Sequence, residues 1–291
     1  MTAFRLAHLS DPHLAPPPAR FRAGDLVSKR LLSRLAWRRK HRRHSRAVLD
    51  ALTADIAARG PDHIAITGDL VNFATPEEFD AARIWLEGLG DPADVTVSPG
   101  NHDALVARGA PASFAPWARW LGDGPPGFPH LRVRGPVAIV NLSSAVPTPA
   151  HSARGRLGAA QIEAAAGLLR EAQGLYRIVL IHHPPVPGLV SPRKSLVDAE
   201  ALGAVMAQAG AELVLHGHAH EGSLAVLRAA VGSTPVLGVP SASSTARATH
   251  RAARWQEIAV TRDGEGFRAE VTARGVTADL RCETLGRYHL G

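Results

Sequence analysis

The chain has 291 residues, room for one large domain or two small ones, and its single cysteine, Cys282, excludes an internal disulfide and fits a reducing compartment. No apolar run approaches 18 residues and a strand begins as early as residue 4, so neither a membrane-spanning helix nor a signal peptide is expected, and a cytoplasmic location is the expectation. The net charge of +7 is local: nine basic residues and no acid lie between Lys29 and Arg46, and without them 24 basic residues face 26 acidic ones.

In chain order, Phe4–Leu9 reads as a buried strand that runs into Ser10-Asp11-Pro12-His13. The basic segment 26–46 follows, with Val27, Leu31 and Leu35 at i, i+4 spacing and Trp37 among the charges, the pattern of an amphipathic helix. Three readings of it stay open: a solvated helix whose arginine stems cover core surface, a surface for an anionic substrate or membrane face, and, least favoured, a nucleic-acid contact. Val48, Leu49, Leu52 and Ile56 predict a helix, and Ile64–Thr67 a strand closed by Gly68-Asp69. Val95–Val97 leads into Gly100-Asn101-His102-Asp103. Phe114, Trp117 and Trp120, at helical spacing, read as packing. A helix around Ile162, Leu168 and Leu169 precedes the strand Ile178–Ile181, which ends in His182-His183-Pro184, and Leu213–Leu215 leads into Gly217-His218-Ala219-His220. Alternation of strand and helix argues for an α/β core. Beyond it, Val236–Val239, Trp255–Thr261 and Phe267–Thr272 read as C-terminal antiparallel strands, over 236–272, of a second sheet stacked on the first. With no linker, low-complexity stretch or repeat, one domain over 1–291 is expected.

Five clusters therefore close five strand-like runs, which predicts that they gather at one edge of a sheet, where open α/β folds build their sites. Together they offer carboxylate, amide oxygen and imidazole, the donors that mixed N/O metal sites use. Glycines at 68, 100 and 217 let the backbone turn beside a ligand without a Cβ clash. Any one cluster alone is weak. All five in order are not.

On these residues the chain resembles the calcineurin-like metallophosphoesterase superfamily over residues 4–220. His182-His183-Pro184-Pro185 and Gly100-Asn101-His102-Asp103 look most like the bacterial class III cyclic-nucleotide and glycerophosphodiester phosphodiesterases. The resemblance implies a four-layer αββα sandwich of two stacked mixed sheets flanked by helices. It implies two metal ions, iron or manganese foremost with zinc allowed. Asp11, His13 and His220 would hold one, Asn101, His182 and His218 the other, and Asp69 would bridge them. It further implies phosphodiester hydrolysis by a metal-bridging hydroxide attacking phosphorus, with His102 protonating the leaving alkoxide or stabilising charge. Asp103 is expected either to orient His102 or to cap a helix.

Two other functions remain in view. The basic insert suits a pyrophosphatase of a nucleotide-linked lipid, similar to the UDP-diacylglucosamine hydrolases of the superfamily, working at the inner face of a membrane; that activity often carries arginine where this chain has His102. A metal-free binding module is disfavoured because no ligand position is missing. Of the other histidines, His8 and His63 read as satisfied structural residues, His183 and His216 are ambiguous, and His41, His44, His130, His151, His250 and His289 carry no spacing that argues for a metal.

Overall fold

The computed structural model describes residues 3–16, 29–107, 114–228, 232–246, 248 and 250–290; Val27 of the expected basic helix lies outside them. Twelve strands form two six-stranded sheets among the described residues. The first sheet runs in the order β12 (Cys282–Leu290), β11 (Gly266–Val276), β10 (Arg254–Asp263), β1 (Phe4–Leu9), β2 (His63–Ile66), β3 (Val95–Val97). The second runs β4 (His130–Arg134), β5 (Val137–Asn141), β6 (Tyr176–Leu180), β7 (Leu213–His216), β9 (Ser233–Gly238), β8 (Ser223–Arg228). β1–β2–β3 and β5–β6–β7–β9 are parallel, and antiparallel strands finish the edges, so both sheets are mixed.

The helices are α1 (Lys29–Lys40), α2 (Arg46–Arg59), α3 (Pro76–Glu87), the short α4 (Ala118–Leu121), α5 (Ala159–Glu171) and α6 (Ala199–Ala209). Strand periodicity sorts the apolar side chains into three layers of core. Leu6 and Ala65 of the first sheet meet Ile139, Ile178, Leu180 and Leu215 of the second, forming the layer between the sheets. Their neighbours Leu9, Ile64 and Ile66 point the other way, against Leu52 and Ile56 of α2 and Phe79 and Leu86 of α3. Val179 and Val214 likewise meet Ile162 and Leu169 of α5 and Leu202 of α6. Three cores between four layers make the αββα sandwich. Trp117 and Trp120 are buried in the α2–α3 layer, as packing residues.

Two expectations need correction. The C-terminal strands do not form one antiparallel sheet. β9 lies parallel to β7 inside the second sheet, whereas β10 and β11 extend the first sheet by antiparallel pairing on β1, with Leu6 opposite Ile258. The five clusters also do not share one sheet: three follow strands of the first sheet and two follow strands of the second.

The basic segment is α1 and a short 3-10 turn, His41–Arg43, ending at Ser45, whose hydroxyl accepts the Val48 N–H to cap α2. Basic side chains fasten α1 to the body: Lys29 Nζ donates to Thr148 Oγ1 (2.7 Å) and the Ser152 carbonyl (2.8 Å), and the buried Arg30 donates through Nε to the Phe73 carbonyl (2.9 Å). Among the described residues, no helix is long and apolar enough to cross a membrane.

Candidate metal centre

Loops leaving β1 and β2 continue the parallel ladder past the strand ends, as Asp11, His13 and Leu14 N–H donate to the carbonyls of Gly68, Asp69 and Leu70. This pairing sets the first two clusters side by side. The loop after β7 joins through Gly217 N–H to the His182 carbonyl, and His218 N–H to Asp11 Oδ2 (3.0 Å). Space is tight enough that a Cβ on Gly100 would strike Asp69, and one on Gly217 would strike Ser10 and Asp11. Seven non-glycine residues among those described have positive φ, and five of them are Asp11, His13, Asp69, His218 and His220. Such backbone is costly for residues with a Cβ and is held only where the surroundings over-determine it, typically at functional sites.

The side-chain donors converge. His220 Nε2 lies 3.1 Å from Asp11 Oδ1 and 3.3 Å from His13 Nε2. Asp69 Oδ2 stands 3.9 Å from His13 Nε2 and 3.4 Å from His182 Nε2, while His182 Nε2 is 3.2 Å from both Asn101 Oδ1 and His218 Nδ1. Hydrogen bonds fix which atoms are presented. The Asn72 amide donates to the Leu14 carbonyl, so its oxygen takes the proton of His13 Nδ1 (3.1 Å) and the His13 Nε2 lone pair is bare. His182 Nδ1 donates to the Thr67 carbonyl (2.7 Å), which leaves Nε2 as the nitrogen turned to the other donors. Asp11 Oδ2 is taken by the Ser10 hydroxyl (2.6 Å) and His218 N–H, and Asp69 Oδ1 by His102 N–H (2.7 Å). Each acid thus keeps one oxygen for the centre.

These residues fit a pair of cations. Asp11 Oδ1 is buried without a hydrogen bond, a costly state for a polar atom unless something else engages it. Burial pushes His13 and His218 well below the ordinary histidine value, and neighbouring histidines add to it, so both rings are neutral and able to ligate. Burial resists ionisation of Asp11 and Asp69, yet His220 beside the first and His182 beside the second hold both pKa values low. Burial also opposes charge on His182, but Asp69 outweighs it and raises the ring to about 9. A proton there balances a carboxylate that a cation would otherwise balance.

Other expected residues fall as follows. His102 Nδ1 donates to the Asn72 carbonyl (2.9 Å), beside the cluster. Asp103 does not orient it: its carboxylate accepts from the N–H groups of Asp69 (2.9 Å), Gly100 (2.8 Å) and Val71 (3.1 Å), fastening the second cluster to the third. Nor does it cap a helix, for residues 101–104 form a turn. His183, though its ring lies near those of His182 and His218, has Nδ1 on Ser144 Oγ (2.7 Å) and Nε2 on the Ala153 carbonyl (3.1 Å). His8 and His63 are buried on threonine hydroxyls, and His216 on the Gly217 carbonyl and Ser223.

One residue at the centre has no signal in the sequence: His44, whose ring lies 4.5 Å from that of His13 and 5.8 Å from that of His220. Its neighbours are brought together by the fold, not by spacing.

Above the donors opens a cleft of about 780 Å³, lined by Trp37, Arg43, His44, His102, Lys194 and Arg251 among others. The cations give it a positive wall and the donor cluster a floor, the form of a site for an anionic ester.

Sequence and structure comparisons agree with that geometry. A probable cyclic nucleotide phosphodiesterase of Synechococcus sp. is 27% identical over 219 residues, covering 74% of this chain and 78% of that protein. The fold is similar to the purple acid phosphatase PPD1 of yellow lupin seeds (TM-score 0.62, 12% identity, 99% of this chain and 53% of that one). It is also similar to a 5'-nucleotidase precursor from Thermus thermophilus (TM-score 0.51, 17% identity, 99% of this chain and 54% of that one). The chain thus spans about half the length of those two structures. The sequence pattern of the calcineurin-like phosphoesterases matches residues 4–222, which takes in all five clusters and both sheets' site-bearing strands. With most of its length matched, the chain belongs to the calcineurin-like phosphoesterase family and is a hydrolase acting on phosphoesters.

Proposed function

We propose that this chain is a two-cation phosphodiesterase for cyclic-nucleotide or glycerophosphodiester substrates. The observation that carries the reading is the position of Asp69 Oδ2 between the ring nitrogens of His13 (3.9 Å) and His182 (3.4 Å), with further donors beyond each. Asp11, His13, Asp69 and His220 would hold one cation, and Asp69, Asn101, His182 and His218 the other. Mixed oxygen and imidazole donors suit iron, manganese or zinc. When bound, such a pair supplies Lewis acidity toward phosphoryl oxygen and lowers the pKa of water enough to make a nucleophile near neutral pH.

The chain's own residues do the rest. His102 N–H steadies the shared carboxylate, and Asp103 holds the loops on either side of it. With Nδ1 donating to Asn72, the His102 atom left for substrate is Nε2. It donates to a leaving alkoxide only when the ring carries both protons, and otherwise accepts. Arg43 and Lys194 in the cleft wall offer charge to the non-bridging phosphate oxygens. The Synechococcus relative's name supports the diester class.

A second reading, a pyrophosphatase of a nucleotide-linked lipid, is favoured by one observation. Leu32 and Leu35 are half exposed on α1 (51% and 49%), while Ser33 and Trp37 of the same helix line the cleft.

The test offers Mn²⁺-loaded protein a phosphomonoester, a cyclic nucleotide, a glycerophosphodiester, a nitrophenyl diester and a nucleotide-linked lipid. The first reading expects the natural diesters to be turned over fastest, and His102→Ala to cut their turnover by about 10²–10⁴-fold, while the nitrophenyl ester, whose leaving group departs unaided, loses much less. Preference for the lipid pyrophosphate overturns the diester assignment. Equal losses on both diesters in the variant remove His102 from the role of proton donor.

A further inference from the structure

His44 belongs to none of the five clusters, yet it is built into the centre. Its backbone segment is clamped by Ser243–Thr245: Ser45 N–H donates to the Ser243 carbonyl (2.8 Å), and Thr245 N–H to the Arg43 carbonyl (2.9 Å). That same stretch is tied to the first cluster, since Ala242 N–H donates to the Ser10 carbonyl (2.8 Å). The ring is stacked on Trp37, with centroids 5.6 Å apart and planes 13° from parallel.

Hydrogen bonds engage one ring nitrogen of His44 and leave the other. Ser241 Oγ donates its only proton to the Asp11 carbonyl (2.6 Å). Ser243 Oγ lies 3.2 Å from Ser241 Oγ and 2.8 Å from His44 Nδ1, and when it donates to Ser241 it accepts from Nδ1. With Nδ1 held by a serine, Nε2 is the nitrogen of His44 left for a ligand. His13 Nε2 is bare by the separate argument from Asn72.

One nitrogen from each of His13, His44 and His220 lies within 4.8 Å of the other two. Nitrogens gathered in this way can hold a cation among them. Imidazole nitrogens bind zinc-like cations at about 2.0–2.1 Å, so two opposed across one ion stand about 4.2 Å apart. The observed spread is within reach of that by a small closure of the rings.

We propose that His44 is an additional protein ligand of the cation position formed by Asp11, His13, Asp69 and His220. The inference rests on the two-cation reading above. It makes the two positions unequal: three imidazoles serve this one, against the two of His182 and His218 with Asn101 at the other. The imidazole-rich position should favour zinc or ferrous iron over manganese or magnesium.

The experiment titrates metal-free protein with Zn²⁺ by calorimetry, in competition with a chromophoric chelator. Wild type should take two ions per chain, one more tightly than the other. In His44→Ala the tighter step should weaken by tenfold or more, with the weaker step unchanged. His44→Gln, which preserves a side chain able to bond Ser243 but removes the imidazole, should show the same loss and decides the matter if the alanine variant fails to fold. Two zinc ions bound by a folded variant with wild-type affinities would overturn the role of His44 and leave the two-cation reading standing. Fewer than two ions in wild type would overturn both.

Discussion

Burial of histidine sets a pH dependence that does not involve the metal centre. His63 is fully buried, with Nε2 on Thr96 Oγ1 (2.8 Å), and burial followed by the charges of Arg132 and Arg134 lowers its pKa to about 3. The unfolded chain, near 6.5, binds a proton that the folded chain refuses, so stability is full above about 6.5 and is lost as pH falls from there toward 3. The limiting slope is about 1.4 kcal/mol per pH unit. We expect His63→Gln to shrink the difference in unfolding free energy between pH 7.0 and 5.5 by about 1 kcal/mol, measured by urea titration at both values. An unchanged difference would mean that His63 keeps its proton on folding. At this scale the sequence was informative where a polar cluster sits at a turn after an apolar run: the seven residues named from the clusters lie side by side, at and beneath the floor of one cleft. It was uninformative about His44, whose position depends on pairing with Ser243–Thr245, some 200 residues away, and about Asp103, whose partners are backbone amides that no motif records.

The element that stands apart is α1. Its buried side is fastened by Lys29 and Arg30, so part of its basicity is structural. The outward side carries the half-exposed Leu32 and Leu35, in a segment whose sequence is strongly basic, a composition that suits a helix lying on an anionic bilayer. Each basic group near such a surface contributes about 1 kcal/mol, screened over a Debye length that shortens with salt. Protein should therefore sediment with phosphatidylserine-containing vesicles and not with neutral ones, less so as salt rises. Leu32→Asn with Leu35→Asn should weaken this at least tenfold while hydrolysis of a soluble diester is retained. Wild-type protein that ignores anionic vesicles would leave α1 as a wall of the cleft alone. The tail strands show why elements are easier to identify than to place. Their alternation marks them as strands, but β9 and β10 differ in sheet because of the neighbours they meet, β7 and β1, and a pattern of period two carries no information about neighbours.

For the whole molecule, the donors are divided between the sheets. Asp11, His13, Asp69 and Asn101 come from loops of the first, and His182, His218 and His220 from loops of the second. Each proposed cation would thus tie one sheet to the other, and its binding energy would add to the stability of their packing. At free metal a hundredfold above Kd, one site stabilises by about 2.7 kcal/mol. Manganese or zinc should raise the melting temperature of metal-free protein by several degrees, and Asp69→Ala should abolish most of the shift; a melting curve indifferent to metal would argue against ions bridging the sheets. The central place of β1 has a different consequence, for synthesis on the ribosome. β1 pairs on one side with β2, some 60 residues later, but on the other with β10, where Phe4 waits for Val260. At about 5–20 residues per second, that flank stays open for roughly 10–50 s after the strand is made. During that interval a nascent chain carries an unpaired apolar edge, a template for joining its neighbours on the same message. The last long strands of the chain, remote from the chemistry, are what close it.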